Sequence, residues 1–568
     1  MNSGLPDSLP NFIYHTGKIA ELRYGVDAAI KEVEGFIGRI RQVTASPAVL
    51  MWTYSEAGEY YGTIGKTSLA YKAHVNAYNY CLQKPKRTGS ELAFSQNNLG
   101  TYAQRLGNLN LSQFHTREAI RHSLSDPAPE PETLYRAYNN LGSIMYYSSK
   151  LDSALHFFDL ALETLKKTPP NNTNKYYRPA IIYNNHAGIY GIQGKSTDAI
   201  AAMKTCITNL KYFIASKENP TKQSAAVSFQ FEAVDNLGGI YKQIGDYRQA
   251  HDLLSYSYSQ KKLHLTPDDP GIFISEILLG QIYYAMKEFD KAQKYLTNGL
   301  DLISKADGDY LFWQADACNT LALLHDVKGE EADAAIYYEK ADALYEQSLQ
   351  GSYDNIYLEF LANAGLFYAQ NKLLPKALAK ANKAYNYVVR TEGTASLLHF
   401  HQLLNFAEIH FASGDHKKAI EYSEQSLAVV NGIIKTSTTL LDSIHIELKK
   451  PRAILLRERS TYELLAVKDI NSLTVILENL KRALAIVEKR KSVLQSSEDI
   501  SLLMADQRDL LEFIKKITLD LYLITRSQKH ADELVSLHES ALYSRIRSRL
   551  DKSGTAAFAH LPASITQK

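Results

Sequence analysis

Apolar residues recur at helical spacing along most of the chain, and residues 235–250 show the pattern most clearly. The apolar positions that fall on one helix face in this stretch are Leu237, Ile240, Tyr241 and Ile244. Such spacing is typical of an amphipathic helix. Gly245 and Asp246 then form a turn signal, and a second helical pattern begins. The stretch therefore predicts a helical hairpin.

A small residue lies in the middle of the first helix of this hairpin. Gly238 occupies an interior position where glycine costs about 1 kcal/mol relative to alanine. A helix tolerates that cost where another backbone must come close, and Ala250 is expected to lie at the same crossing. Equivalent first-helix residues recur about every 42 residues: Gly58, Gly100, Gly142, Ala187, Gly238, Gly280, Ala322, Gly365 and Ala407. The second-helix residues twelve positions later are Ala70, Ala154, Ala199, Ala250, Ala292, Ala334, Ala377 and Ala419. The second repeat is irregular, and we expect it to use Ala119.

Nine near-regular copies of this pattern predict a stack of helix pairs, because one pair cannot bury its apolar face alone. The pattern resembles the tetratricopeptide repeat in its longer form of about 42 residues, as in the kinesin light chain family. That resemblance implies an all-α fold, a right-handed α-solenoid of helix-turn-helix repeats with capping helices. By sequence we divide the chain into four segments. They are an N-terminal arm and capping helix (1–49, with the helix over 18–44), the repeat superhelix (50–435), a degenerate repeat with a helical end piece (436–551), and a tail (552–568).

The end piece carries a second resemblance. Residues 521–525, 538–550 and 561–565 resemble the helices that precede the catalytic domain of CHAT proteins, which are caspase- and separase-like cysteine peptidases. The resemblance implies a sensing arm whose partner is a protease domain, either following it in a longer chain or separate. The family's catalytic His and Cys have no counterpart before Lys568, so we expect no catalysis by that mechanism from these residues.

The resemblance to tetratricopeptide repeats implies that the first helices line a concave groove that binds a protein or peptide. Asparagine is a poor residue in a helix interior, yet it recurs there in two rows, and its amide matches a peptide unit as both donor and acceptor. The predicted binding residues are the earlier row and three neighbours, namely Asn97, Asn139, Asn184, Asp235, Asn319, Tyr146, Lys242 and Tyr284. The later row is Asn98, Asn140, Asn185, Asn236, Asn363 and Asn405. The alternative, which we favour for the later row, is that these amides tie adjacent helices together.

Basic residues cluster near the end of the chain. Arg545 and Arg549 share a helical face and Arg547 lies away from it. We interpret the three as a possible docking patch for an acidic partner or a protease domain. The alternative is a solvated helix surface.

Composition narrows the function classes. The chain has 63 Lys and Arg against 61 Asp and Glu, which gives no support to a nucleic-acid or membrane-surface role. Three scattered cysteines without a CxxC motif fit a reducing compartment, and no secretory signal or run of about 18 apolar residues is evident. We therefore expect a cytoplasmic protein without cofactor or metal.

No catalytic motif appears in the sequence, and a cluster of histidines near residue 400 is interpreted as structural. Two alternatives to a scaffold remain open. One is a peptide-sensing signalling regulator, and the other is a hydrolase that uses Cys81, Cys206 or Cys318 as its nucleophile.

Overall fold

A computed structural model describes residues 8–539, except residues 149, 194, 307, 350, 352, 435–446, 448 and 492–507. Over these residues the regular structure is helical, without a β-strand, which confirms the predicted all-α class. The helices are α1 Ile13–Tyr24, α2 Val26–Val43, α3 Pro47–Thr63, α4 Thr67–Gln83, α5 Gly89–Arg105, α6 Leu109–Leu124, α7 Pro131–Tyr147, α8 Leu151–Leu165, α9 Arg178–Ile192, α10 Ser196–Ser216, α11 Pro220–Gln243, α12 Tyr247–His264, α13 Pro270–Ala285, α14 Phe289–Lys305, α15 Leu311–Lys328, α16 Glu331–Leu349, α17 Asn355–Gln370, α18 Leu374–Thr391, α19 Leu397–Ala412, α20 His416–Ile434, α21 Lys450–Leu464, α22 Ile470–Lys491 and α23 Arg508–Thr525. Residues 528–539 are also helical.

Packing divides the chain into two compact units, Met1–His186 and Ala187–Lys568. In each unit a first helix packs against the second helix of its pair, as α5 does on α6 and α13 does on α14. First helices also contact the first helices of neighbouring pairs, α5 with α7 in one unit and α13 with α15 in the other. The helix-turn-helix repeats predicted from the sequence are therefore confirmed, while the four-segment division stays a prediction.

The small first-helix residues lie where the two helices of a pair cross. A Cβ atom added to Gly280 would come within 2.6 Å of Leu296 Cγ and 3.0 Å of the Leu296 backbone nitrogen. At Gly238 the nearest atom would be Leu254 Cγ, at 3.0 Å. In both pairs the side chain that fills the crossing stands sixteen positions after the glycine, a relation that the alanine pattern did not reveal.

The second repeat differs from the prediction. Ser112, not Ala119, stands twelve positions after Gly100, and it is fully buried. Its hydroxyl donates to the Gly100 carbonyl at 2.7 Å, which satisfies both polar groups at the crossing. Ala119 lies one packing layer further along α6, also fully buried. A search restricted to alanine misses this position because serine is nearly as small.

The N-terminal helix predicted over residues 18–44 is wrong in its bounds, because two helices, α1 and α2, occupy this part of the chain. They meet at Gly25, whose φ of 84° cannot continue a right-handed helix and suits glycine. Buried residues of both helices, such as Ile13 and Val33, share one apolar cluster with Tyr60 of α3. The two helices thereby cover the first repeat.

Towards the other end, α21, α22 and α23 pack around a cluster that includes Leu455, Leu480 and Ile514. No helix in the described part of the chain is long and apolar enough to cross a membrane.

The crossing geometry predicts opposite effects for two glycines on first helices. We expect Gly280→Ala to lower the free energy of unfolding by about 1–3 kcal/mol, because its methyl group overpacks against Leu296. The control Gly239→Ala meets no atom within 4 Å and should raise the free energy of unfolding by roughly 0.5–1 kcal/mol. Thermal and urea unfolding followed by circular dichroism measures both. Equal effects at the two sites would contradict the assignment of Gly280 to a crossing.

Candidate functional site

Asn97 and the later-row residue Asn140 connect two neighbouring first helices. The Asn140 Nδ2 group on α7 donates to Asn97 Oδ1 at 3.0 Å and to Thr101 Oγ1 at 2.9 Å, both on α5. Asn97 is buried, with 4% of its surface exposed. This pair therefore fits the alternative in which the amides tie adjacent helices together. The Asn97 side-chain oxygen, predicted to bind a ligand, accepts a hydrogen bond from within the protein instead.

Asp235 belongs to a buried ion pair. Its carboxylate accepts a hydrogen bond from the Lys261 ammonium at 2.6 Å, and the same ammonium donates to Ser275 Oγ at 2.9 Å and the Gly271 carbonyl at 3.0 Å. Burial raises the pKa of Asp235, and the ammonium opposes that shift. The arrangement links α11, α12 and α13, so Asp235 is engaged inside the protein.

Lys242 begins a chain of polar contacts across three first helices. Its ammonium donates to Gln281 Oε1 at 3.0 Å, and Gln281 Nε2 donates to Asp316 Oδ2 at 2.5 Å. Tyr345 of α16 donates to the other Asp316 oxygen at 3.2 Å. Burial raises the pKa of Asp316. Sequence reasoning proposed Lys242 but missed Gln281 and Asp316.

The other predicted binding residues are half-buried or buried on first helices. Asn139 is half-buried and Asn319 is buried, and the side-chain oxygen of each lacks a donor among the described residues. Asn184, Tyr146 and Tyr284 are half-buried. Asn97, Asn139, Tyr146 and Asn184 belong to the first unit, whereas Asp235, Lys242, Tyr284 and Asn319 belong to the second. Their role in binding stays a prediction, and Arg545, Arg547 and Arg549 lie outside the described residues.

Another first-helix row, six positions before the small anchor, carries varied side chains that sequence reasoning missed. In the first unit it includes Trp52, which keeps 43% of its surface exposed, and Phe94; their ring centroids are 5.4 Å apart. In the second unit it includes Asp316, the exposed Glu359 and the half-buried His401. The repeat period could have revealed this row in the sequence. It fixes the position six residues before each anchor, and the side chain there varies while the anchor stays small.

Ionisable groups on these faces have shifted pKa values. Burial and the Glu59 carboxylate raise the pKa of Glu56, while His15 opposes the shift. Burial also raises the pKa of Glu59, against the opposing charges of Arg136 and Arg105. In the second unit, burial and the neighbouring Lys449 ammonium lower the pKa of His401 to about 3. Such shifts mark groups whose charged form the protein solvates poorly.

The three cysteines are fully buried, including Cys206 at its predicted packing position. Burial raises the pKa of Cys206 to about 12 and that of Cys318 to about 11, and it also raises the pKa of Cys81. The thiolate is the nucleophile of a cysteine hydrolase. This environment disfavours it and therefore argues against the hydrolase alternative.

Two histidines replace tyrosine at a repeat packing position and pair with a carboxylate in the following turn. His410 stacks on Tyr422 with centroids 5.5 Å apart, and its Nδ1 lies 3.6 Å from Asp415. His325 pairs with Glu330 in the same way, and Asp333 brings a third possible metal ligand nearby. The same kind of pair occurs at His410, where Asp415 is the carboxylate paired with the ring and no third possible ligand is found among the described residues. We therefore interpret the pair at His325 as structural as well.

The chain is similar to one known family model and to several solved structures. The family model described as "Tetratricopeptide repeat" matches residues 277–305, which span the turn between α13 and α14. Among solved structures, a Rap protein complexed with competence and sporulation factor is 14% identical, covers 69% of this chain and 99% of its own, and has a TM-score of 0.43. Apo RapI is 16% identical and covers 53% and 99%, with a TM-score of 0.37. BtubC from P. vanneervenii is 14% identical and covers 45% and 93%, with a TM-score of 0.33. A comparison with curated proteins finds no match. Residues 277–305 are thus a tetratricopeptide repeat by sequence as well as by fold.

The buried ion pair yields a prediction about Lys261. We expect Lys261→Met to lower the free energy of unfolding by about 3–5 kcal/mol at pH 7, because it leaves the buried Asp235 carboxylate without its partner. A carboxyl whose folded-state pKa is raised loses stability as pH rises through that pKa. The destabilisation should therefore shrink as pH falls towards about 4. Urea unfolding at several pH values measures this, with exposed Lys262→Met as the matched control. A pH-independent loss would contradict the assignment.

Thiol burial predicts slow chemical labelling. In the native protein at pH 8 we expect Cys81, Cys206 and Cys318 to react with a thiol reagent at least about 100-fold more slowly than free cysteine. All three should react in denaturant. Ser304→Cys, at an exposed position of α14, is the control and should label at the free rate. A native cysteine that reacts as fast as this control would restore the hydrolase alternative.

Proposed function

We propose that this chain is a protein-interaction scaffold that binds a partner protein or peptide along the faces of its first helices. The observation that carries the proposal is the contrast between two sets of positions. Crossing positions are small and buried, whereas the row that includes Trp52, Glu359 and His401 presents diverse aromatic and charged groups. A repeat scaffold keeps its packing positions alike and varies the positions that meet a partner.

Poorly compensated polar groups support a binding role for these faces. Glu56 is half-buried and has no ion pair among the described side chains, whereas Glu59, one helical turn away, is exposed. Asn319 carries a buried oxygen without a donor in the described part of the second unit. A buried polar group that lacks a partner costs about 1–3 kcal/mol. A ligand that supplies the missing partner recovers part of that free energy.

A narrower proposal follows from the sequence alone: the scaffold is the sensing arm of a CHAT-type protease system. Residues 521–525 of that resemblance belong to α23, which packs on α22 and α21. Residues 540–550 and 561–565 lie outside the described part of the chain. The signalling-regulator alternative uses the same binding faces and differs only in what the partner does.

Site-specific photocrosslinking tests the scaffold proposal. We expect a photoreactive amino acid at Arg136 or Glu359, both exposed on first helices, to capture a defined partner from the native host. The same amino acid at Glu163 or Glu339, exposed on second helices, is the matched control and should not capture it. Mass spectrometry identifies the products, and excess untagged chain should compete them away. Equal capture from both helix faces would contradict the proposal.

A further inference from the structure

Two successive first helices of the first unit carry an array of four side chains, joined by one aromatic contact. Trp52 and Glu56 are one turn apart on α3, and Phe94 and Asn98 occupy the equivalent positions on α5. The Trp52 and Phe94 ring centroids are 5.4 Å apart, at an interplanar angle of 46°. Trp52 remains 43% exposed, so part of its indole is available to a ligand.

The carboxylates beside this aromatic pair have no contact ion pair among the described residues. Glu56 makes no ion pair or hydrogen bond to any described residue, and Glu59 one turn further along α3 likewise makes none. Arg136 and Arg105 act electrostatically on Glu59, while at Glu56 the opposing charge is that of His15. Glu56 is therefore the less compensated carboxylate, and it shares a helix face with Trp52.

Asn98 supplies a second, independent observation. It is buried, with 6% of its surface exposed, and its Nδ2 group has no acceptor among the described residues. Its counterpart in the next repeat, Asn140, donates to Asn97 and Thr101. The positions equivalent to those two acceptors are Ser55 and Glu59. Asn98, one turn along α5 from Phe94, therefore lacks the kind of partner that Asn140 has.

We propose that Trp52, Glu56 and Asn98 form a subsite for an arginine side chain of an extended partner peptide. This inference rests on the proposed function and names the chemistry of one point of contact. The guanidinium stacks on the exposed part of the indole, and its N–H groups donate to the Glu56 carboxylate. The buried Asn98 side chain turns outward on binding and donates to a backbone carbonyl of the same peptide. An acidic side chain is excluded because Glu56 and Glu59 would repel it.

Tryptophan fluorescence reports on this subsite directly. The chain has two tryptophans, so Trp313→Phe leaves Trp52 as the sole fluorophore. In this background the full chain is titrated with capped five-residue alanine peptides that carry a central arginine, citrulline or glutamate. We expect a saturable change with the arginine peptide. Citrulline has the same shape without the charge and should bind about tenfold more weakly or worse, as the loss of one charge-assisted hydrogen bond implies.

Substitution at Glu56 identifies the contact. Glu56→Gln should weaken binding of the arginine peptide about tenfold while leaving the weak citrulline binding nearly unchanged. Glu163→Gln on α8 removes the same charge from an exposed position outside the array and should leave the affinity as it was. Circular dichroism of each variant checks that the fold is retained.

Several outcomes of these peptide titrations would overturn the arginine subsite. Equal affinity for arginine and citrulline, an unchanged affinity in Glu56→Gln, or no saturable change with the arginine peptide would overturn the arginine subsite. Preferential binding of the glutamate peptide would overturn it too, while leaving the scaffold proposal intact. Capture of a partner in the crosslinking experiment bears on the scaffold alone, so the two proposals fail separately.

Discussion

The close approach of two helices within each repeat is the constraint on which the rest of the structure depends. At Gly280 there is no room for a methyl group beside Leu296, and at Gly100 the Ser112 hydroxyl bonds directly to the opposing backbone. Because the backbones touch, each pair buries its apolar side chains in a narrow seam, and the outer faces of the first helices are left for other contacts. Some neighbouring first helices, such as α5 and α7 or α17 and α19, then lie side by side, which brings equivalent positions of successive repeats within reach of one another.

Sequence reasoning recovered what periodicity controls. The small anchors, their alanine partners and the buried thiol at Cys206 could be predicted, since each follows from repetition of one packing rule. The break at Gly25 was missed because the apolar spacing continues through it, while the backbone conformation that ends the helix leaves no mark on hydrophobic periodicity. Ser112 was missed because the search fixed a residue type where the physical requirement is only small volume.

The candidate binding residues were harder to predict, and asparagine shows why. The same amide can bind a peptide or a neighbouring helix, and the sequence does not say which. The structure pairs Asn97 with Asn140 but leaves the Asn98 donor without an acceptor in the described residues, although Asn98 and Asn140 occupy equivalent positions. Helices α5 and α7 pack directly against each other, whereas no packing of that extent joins α3 and α5 in the described residues. Partnering therefore depends on pairs of positions about 40 residues apart, which inspection of a single repeat does not reveal.

The Lys261 ammonium has a consequence for how the second unit comes apart. One charge binds a carboxylate on α11, and a hydroxyl and a carbonyl on α13, while its own stem belongs to α12. Separating one of these helices from the others leaves the Lys261 ammonium with fewer of its buried hydrogen-bond partners. Partial opening at this point therefore costs free energy. Repeat arrays often fray one hairpin at a time. Here Lys261 joins the first helix of one hairpin to both helices of the preceding one, so we expect these three helices to open together.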